Sequence, residues 1–371
     1  MAISIKSIGK ALVFTLGGVA AHLAQAGVYY DLGESITASG VSADGSVVAA
    51  YDSARYYAWN ATDGLTSIGG TWKGGVASVS NDGKLISGSA YGRGRTVQAA
   101  IYNLEKGRWK RLGGIGGESD GSASSAWDIA GNGKSVVGLG WVDAGTAHAV
   151  QSTPTGHLQD LGSSGGSSRA NGVSEDGRIV VGWDEQDTGF WQGTYWRDGV
   201  ATAMFDNDGF AMNSANAVSD DGKWIVGDAG FGVQTWRYNT DTGVTQYLGD
   251  ADPFGDMQGS TGISADGRVI VGYDRSFGPP TFGMGTIWIE GLGMLNLTDY
   301  ALGQGIDLNG RTLALPLGLS ADGLTVVGLD NLYHGFVVTL APVPEPATVA
   351  LMGAGLAGLL LAARRRKTSA G

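Results

Sequence analysis

The side chains best suited to chemistry are carboxylates that cluster in glycine-rich loops. Asp206 and Asp208 lie in an Asp-Asn-Asp-Gly sequence, and Asp250 and Asp252 form a second cluster further along the chain. The first sequence matches the beginning of a calcium-binding loop but lacks the distal Glu that completes one. Loops between strands commonly carry binding surfaces. We therefore expect solvated loop carboxylates at these four positions, with Ca²⁺ binding as the alternative.

A third acidic cluster adjoins two aromatic residues. Asp184, Glu185 and Asp187 are followed by Phe190 and Trp191. Aromatic rings beside polar groups could hold a sugar, because the rings contact its apolar face while the polar groups contact its hydroxyls. Simple exposed loop residues are the alternative interpretation.

The groups that catalysis needs are sparse. The chain has no Cys and four His, so it offers no thiolate nucleophile and no Cys-ligated metal. His148 and His157 fall in one repeat but on different predicted strands, and no Gly-x-Ser-x-Gly sequence precedes a predicted helix. We expect a protein that is not an enzyme and needs no cofactor.

The charge balance argues against nucleic acid as a partner. The net charge is −11, and the basic residues concentrated near both termini leave a more acidic middle region. An acidic surface repels phosphates, so no nucleic-acid binding is expected.

Internal repetition decides the fold prediction. The chain has 65 glycines, and a phrase of the form Val-Ser-x-Asp-Gly recurs seven times, with a degenerate third copy. Asp-Gly between apolar runs predicts a β-hairpin, because both residues tolerate positive φ, and the Ser can bond the turn backbone. The copies occupy residues 41–45, 79–83, 129–133, 173–177, 218–222, 263–267 and 319–323.

Each copy predicts four short strands over a period of about 45 residues. An apolar run ending in Gly follows the turn, then a run with an aromatic anchor, then a run ending in Leu-Gly or Ile-Gly. The anchors include Trp59, Trp196, Trp236 and Trp288. We expect these rings between neighbouring sheets in the core. Four strands per period is typical of a β-propeller blade.

The two ends of the repeat region complement each other. The last copy lacks its fourth run, whereas residues 28–33 look like a fourth run with no copy ahead of it. Pairing them would remove open sheet edges, which invite aggregation. The sequence therefore predicts an all-β domain at residues 27–341, a seven-bladed β-propeller built from seven repeats, in preference to a linear solenoid.

The same period resembles the HAF-type extracellular repeat over about residues 28–340. The shared features are the Ser-x-Asp-Gly turn, Val-Val-Gly, a run like Ala-x-x-Trp and a Leu-Gly end. The His-Ala-Phe triplet itself is absent, and the nearest sequences begin at His148 and His334. The resemblance implies an exported protein and says little about activity.

Residues 1–26 are typical of a cleavable secretory signal peptide. Lys6 and Lys10 precede an apolar run at residues 11–21, and Ala24 and Ala26 supply small residues before the predicted cleavage site. The run is too short for a membrane anchor. We therefore predict export.

The C-terminal residues 342–371 have three parts. Pro344, Glu345 and Pro346 precede an apolar run at residues 347–363, which is near the lower length limit for a transmembrane helix. Basic residues beyond such a span stay cytoplasmic, so the repeat domain should lie on the other side of the membrane. The basic residues are Arg364, Arg365, Arg366 and Lys367.

This tail, from Pro344 to Lys367, resembles the PEP-CTERM sorting signal. The resemblance implies processing by an exosortase-type membrane enzyme in a Gram-negative bacterium, through an inner-membrane intermediate. It also implies a final location at the cell surface or outside the cell, and a link to exported polysaccharide or biofilm.

Together these features predict an exported, non-catalytic cell-surface or extracellular-matrix protein. It would bind exopolysaccharide or an envelope protein, or build the extracellular layer itself. One alternative is a polysaccharide-acting enzyme, which would need carboxylates from different blades to converge. The other is an envelope sensor or assembly partner.

Overall fold

The regular structure is almost entirely β. The computed structural model describes residues 27–231, 234–249, 257–275 and 280–342. In these ranges 28 strands accompany one α-helix, α1 (Leu297–Gly303), and two 3₁₀ turns, at Arg93–Arg95 and Pro280–Phe282. Over the same ranges no helix is long and apolar enough to cross a membrane. The predicted transmembrane run at residues 347–363 lies outside them.

The strands form seven antiparallel units of four, six of them consecutive in the chain and the last completed by β1 (Val28–Glu34). Unit 1 comprises β2 (Thr37–Val41), β3 (Val48–Tyr51), β4 (Tyr56–Asn60) and β5 (Gly64–Gly69). Unit 2 comprises β6 (Ser78–Val79), β7 (Leu85–Tyr91), β8 (Val97–Asn103) and β9 (Arg108–Gly113). Unit 3 comprises β10 (Ser124–Ile129), β11 (Val136–Trp141), β12 (Ala147–Ser152) and β13 (Leu158–Asp160).

The remaining units follow the same order. Unit 4 comprises β14 (Ser168–Val173), β15 (Ile179–Glu185), β16 (Trp191–Arg197) and β17 (Val200–Ala203). Unit 5 comprises β18 (Ser214–Val218), β19 (Trp224–Phe231), β20 (Thr235–Asn239) and β21 (Thr245–Gly249). Unit 6 comprises β22 (Met257–Ile263), β23 (Val269–Arg275), β24 (Met284–Ile289) and β25 (Gly293–Asn296). Unit 7 comprises β26 (Leu315–Leu319), β27 (Thr325–Leu329), β28 (His334–Thr339) and β1.

Units 5 and 6 depart from the expectation of separate sheets. β19 pairs with β20 only near its start, and its far end pairs with β22 through Asp228 and Gly259. The far end of β19 therefore has its backbone hydrogen-bonding groups available to β22. The two units consequently share one eight-stranded sheet.

The repeated phrase forms the predicted turn between the first two strands of every unit. The seven turn glycines have φ between 69° and 81°. In six copies the Ser hydroxyl donates to the Asp two residues later, at 2.5 to 2.8 Å. The same oxygen accepts the backbone N–H five residues later, at 2.8 to 3.1 Å. The hairpin prediction is confirmed.

The core lies between neighbouring units. Trp59 packs with Val327 and Val337 of unit 7, and Trp196 packs with Val137 of unit 3. Trp236 and Trp288 occupy corresponding junctions, and all four tryptophans are buried. The anchors therefore hold adjacent units together, as predicted.

The first and last units meet. β1 pairs antiparallel with β28 from Val28 opposite Thr339 to Glu34 opposite His334, as the sequence predicts. β2 of unit 1 contacts β26 and β27 of unit 7, and every other pair of successive units is also in contact. The series of contacts through the described units therefore returns to its start.

Removing residues 28–34 should strongly destabilise the domain. The deletion exposes the edge of β28 and removes the buried side chain of Leu32. We expect a loss of at least about 3 kcal/mol in the free energy of unfolding, together with aggregation. Urea denaturation with light scattering measures both. Val28→Ala, at an exposed position of the same strand, serves as control and should change stability little. Unchanged stability of the shortened chain would refute closure by β1.

Candidate binding site in the central cavity

One cavity of about 270 Å³ is lined by all seven units. Its walls are the first strands of the units, β2, β6, β10, β14, β18, β22 and β26, and residues beside them. Because each unit contributes the same strand, the cavity lies at the centre of the arrangement.

A β-bulge recurs in these first strands. In six of the described units the register with the second strand shifts at the same point and leaves one residue unpaired. A bulge re-aims its side chain, and all six unpaired residues line the cavity. They are Ser39, Trp127, Asn171, Asn216, Thr261 and Leu317.

Four of these bulge side chains also form a hydrogen bond from their own unit to the next one. Their hydroxyl or amide groups donate to backbone carbonyl oxygens of the following unit over 2.7 to 3.1 Å. These buried contacts fix the spacing between inner strands, because breaking one would leave a carbonyl without a partner. The pairs are Ser39 with Ala77, Asn171 with Ala215, Asn216 with Ser260, and Thr261 with Pro316.

A stack of one guanidinium and three indoles runs from the cavity wall to the surface. Arg169 lines the cavity with its Cζ atom 3.7 Å from the ring centroid of Trp127 and 5.4 Å from that of Trp183. Trp183 is stacked on Trp191, with centroids 4.4 Å apart and planes 8° apart. Trp191 is 46% exposed and its neighbour Phe190 is 76% exposed. The stack therefore presents aromatic surface to solvent.

Arg169 supplies hydrogen-bond donors to this surface. Its Nε donates to Asn171 Oδ1 over 2.7 Å, and its terminal nitrogens have no hydrogen-bond partner among the described residues. Burial lowers the pKa of Arg169 to about 10, while the charge of Asp228 acts in the opposite direction. The side chain is therefore positively charged at neutral pH and able to donate to a ligand.

Asp128 contributes a hydrogen-bonded carboxyl to the cavity wall. Ser78 Oγ donates to its Oδ1 at 2.6 Å, and the Val173 N–H donates to its Oδ2 at 2.9 Å. It thus joins units 2, 3 and 4. Burial raises the pKa of Asp128 to about 6, against the effect of these hydrogen bonds. Near neutral pH this carboxyl changes charge within the cavity wall.

The repeated turns lie at one end of the cavity. Backbone hydrogen bonds join neighbouring turns, for example Asn81 N–H to Gly131 O at 2.8 Å and Glu175 N–H to Asp220 O at 3.1 Å. The Asn81 amide also donates to Asp220 Oδ2 over 2.9 Å, between units 2 and 5. Burial raises the pKa of Asp220. Asn81 and Asp220 are the variable residues of their copies of the phrase, and their hydrogen bond crosses this end of the cavity.

The predicted acidic site at Asp206 and Asp208 does not line this cavity. Asp206 Oδ1 accepts the backbone N–H groups of Asp208 and Phe210, and Tyr247 donates to its Oδ2 over 2.9 Å. These contacts stabilise a hairpin loop between units 4 and 5, and the Phe210 N–H holds the pKa of Asp206 below its usual value. Asp250 and Asp252 lie outside the described residues.

The third acidic cluster is built into the fold. Asp184 accepts the Ser163 hydroxyl at 2.6 Å, and Glu185 accepts the Ser167 N–H at 2.9 Å. Both carboxylates thereby tie unit 4 to the loop that precedes it. Of this group, the side chain of Trp191 forms the exposed end of the stack.

The histidines do not form a metal centre in the described part of the chain. His148 contacts Asp160 at 3.0 Å and His334 contacts Asp31 at 2.9 Å. In residues 27–231, 234–249, 257–275 and 280–342, no group of three His, Asp or Glu side chains is placed to hold a metal ion. The predicted cleavage residues Ala24 and Ala26 lie outside those ranges.

Trp127, Arg169 and Trp183 are functional candidates that sequence analysis missed. They belong to three strands, β10, β14 and β15, and no local motif links them. A signal did exist: Trp127 and Asn171 each stand two residues before the apolar residue that opens their copy of the repeated phrase. Aligning the copies marks this position as one that faces the cavity in each unit.

Comparison with known proteins identifies the tail. Residues 342–367 match the family model of the PEP-CTERM protein-sorting motif. The tail is a PEP-CTERM sorting motif. The motif implies an exported protein that is recognised and processed at the membrane by an exosortase-type enzyme. Its signature residues Pro344, Glu345 and Pro346, and the basic residues Arg364, Arg365, Arg366 and Lys367, lie outside the described residues.

Whole-chain comparisons give weaker likenesses. A search of curated proteins finds no match. The chain is similar to the crystal structure of TolB from Acinetobacter baumannii, with 14% identity, a TM-score of 0.45 and coverage of 71% of this chain and 63% of that one. It is also similar to a putative TolB from Agrobacterium tumefaciens, with 15% identity, a TM-score of 0.45 and coverage of 84% and 91%.

Asp128→Asn should change how stability depends on pH. In the unfolded chain the carboxyl titrates near 4, but burial raises its pKa to about 6. Between these values the folded state binds more protons, so this group makes stability fall as pH rises. From about pH 4 to pH 7, the free energy of unfolding of the wild type should fall by roughly 2–3 kcal/mol relative to that of the variant.

Urea denaturation across that pH range measures the difference. Asp208→Asn, at an exposed carboxylate, is the matched control and should leave the pH dependence unchanged. Parallel pH profiles for the wild type and Asp128→Asn would contradict the role of the buried carboxyl.

Proposed function

We propose that this chain is an exported, non-catalytic cell-surface or matrix protein that binds exopolysaccharide. Its seven units would be the blades of a β-propeller, and the stack of Trp127, Arg169, Trp183 and Trp191 would be its binding surface. The PEP-CTERM motif would deliver it to the cell surface or the extracellular matrix.

The propeller proposal is supported by the arrangement of the units. Corresponding strands face one cavity, successive units are in contact, and β1 completes the last unit from the other end of the domain. A linear solenoid would leave its terminal units unpaired with each other. HAF-type repeats belong to the same proposal, since the Ser-x-Asp-Gly turn is the feature that each unit shares.

The observation that carries the binding proposal is the exposed end of the stack. Trp191 presents a ring to solvent, while Trp183 supports its position and Arg169 brings charged donors to the cavity side. Pyranose rings have an apolar C–H face and hydroxyls at their edges, so they suit a flat aromatic surface beside hydrogen-bond donors. Supporting the ring within the fold also lowers the entropy lost on binding.

The charge of the chain favours a sugar over a nucleic acid as the occupant. A guanidinium and aromatic rings could also stack on bases. The chain carries a net charge of −11, however, which would repel a phosphate backbone. A neutral polysaccharide meets no such barrier.

A binding role also accounts for the carboxylates near the stack. Asp184 and Glu185 accept hydrogen bonds from the preceding loop, and Asp128 joins three units. Glycoside hydrolysis needs two carboxylates placed on either side of one bond. Carboxylates engaged by the fold in this way favour binding over catalysis.

Trp191→Ala should weaken polysaccharide binding. The probe is exopolysaccharide purified from the producing bacterium, and binding is followed by tryptophan fluorescence and by co-sedimentation. Removing the ring should raise Kd roughly tenfold, which corresponds to about 1.4 kcal/mol. Phe190→Ala should have a smaller effect in the same direction, because its ring lies beside the stack.

Phe282→Ala is the matched control, since Phe282 is a 77% exposed aromatic side chain on unit 6. It should bind like the wild type. Equal affinity of Trp191→Ala and wild type would reject the stack as the binding surface. Release of new reducing ends from the polysaccharide would instead support the enzymatic alternative.

A further inference from the structure

An apolar groove lies between units 6 and 7 where the described chain ends. Its volume is about 380 Å³. Val269, Ile287, Leu324 and the ring of Tyr300 contribute to its walls. Pro342, which is the last described residue and the first residue of the matched sorting motif, also lines it.

Two other junctions between units are bridged by a polar side chain at one position of the third strand. In unit 3, Gln151 donates to Gly177 O of the next unit over 2.7 Å. In unit 5, Arg237 donates to Gly267 O of the next unit over 2.8 Å. Each of these side chains therefore closes its junction beside the turn of the following unit.

Ile287 holds the corresponding place in unit 6. Gln151, Arg237 and Ile287 each pair with the valine that precedes the glycine of the second strand. An isoleucine has no donor for Gly323 O in the turn of unit 7. At this position the junction between units 6 and 7 is therefore apolar, unlike the junctions after units 3 and 5.

The rim of the groove carries one cation with unused donors. Arg268 Nε donates to Glu290 over 2.9 Å, and the terminal nitrogens of Arg268 have no hydrogen-bond partner among the described residues. Its side chain is 55% exposed. Leu292, two residues beyond Glu290, is 56% exposed and completes the outer wall.

We propose that this groove holds the sorting motif of the same chain, residues 343–346. The motif leaves the domain directly from Pro342, so it is present at the groove at high effective concentration. Glu345 is three residues beyond Pro342, a span of about 10 Å when extended. That reach allows the Glu345 carboxylate to form an ion pair with the Arg268 guanidinium at the rim. The apolar walls of the groove offer no such partner.

The composition of the motif fits this groove. Proline recurs at Pro342, Pro344 and Pro346, and alternating prolines favour an extended conformation that needs no internal hydrogen bonds. Extended proline-rich segments bind apolar grooves that contain aromatic rings, and Tyr300 supplies one here. While bound, the motif is covered by the domain, so the processing enzyme acts on it only after release.

Cysteine crosslinking tests the placement directly. The chain has no Cys, so an engineered pair is unique. The full-length chain with Leu292→Cys and Ala347→Cys is expressed in membranes of a strain that lacks the processing enzyme, and then treated with a mild oxidant. A disulfide requires the two Cα atoms to come within about 7 Å. If the motif lies in the groove, the intramolecular bond should form at least about tenfold faster than in a control pair.

The control pair is Leu302→Cys with Ala347→Cys. Leu302 is 51% exposed on α1 but does not line the groove. Equal rates for the two pairs would overturn the proposal. Disulfide-linked dimers of the Leu292→Cys chain would overturn it in favour of a second copy in the groove.

A processing assay tests the consequence. In the host with the enzyme, Leu292→Asp should release the motif and speed tail removal severalfold, as followed by intact mass over time. Leu302→Asp should process at the wild-type rate. Unchanged processing of Leu292→Asp would overturn the shielding role even where crosslinking supports the placement. Neither result depends on polysaccharide binding.

Discussion

The close approach of seven inner strands around a narrow cavity is the constraint on which the rest of the structure depends. Each inner strand must contact its neighbour through backbone and small side chains, because a larger group would push the units apart. A methyl group at Gly40 would lie 2.5 Å from Ser78 Cα, and one at Gly318 would lie 2.8 Å from Ser39 O. The bulge next to these glycines turns one side chain per strand into the cavity. The inner strands therefore approach one another through their backbones, and six of them supply one bulge side chain each to the cavity wall.

The identity of these bulge side chains explains why the candidate site is small and asymmetric. Four bulge side chains are occupied in tying units together, and Leu317 is apolar. Trp127 is the bulge residue whose large ring is available for stacking, and Arg169 lies over it. The stack continues through Trp183 to Trp191 because unit 4 carries Arg169, Trp183 and Trp191 on its first three strands, with Trp191 at the start of the third. The candidate binding residues are thus concentrated in units 3 and 4, although the seven units are built alike.

The junction between units 6 and 7 shows the same principle in a different place. Repetition makes the junctions comparable: Gln151 and Arg237 bridge the junctions after units 3 and 5, whereas Ile287 lies at the same position beside the groove after unit 6. The last unit also receives β1 from the other end of the domain. The chain therefore leaves the domain at Pro342 from a closed structure, with the sorting motif following immediately. Unit 7 therefore both receives β1 and precedes the sorting motif in the chain.

The sequence by itself determined the elements that depend on local geometry. The turn phrase predicted the hairpins, since Asp-Gly and its Ser form the same hydrogen bonds wherever they occur. The complementary fragments at residues 28–33 and in the last copy predicted the closing strand. The buried tryptophans and the sorting motif were also predictable, because a run of residues carries each of them. Only the tertiary structure decided which side chains meet across units. The stack of Trp127, Arg169 and Trp183, the buried Asp128 and the groove beside Pro342 depend on the spacing between strands far apart in sequence. Burial and packing between units set that spacing, and no local pattern records it.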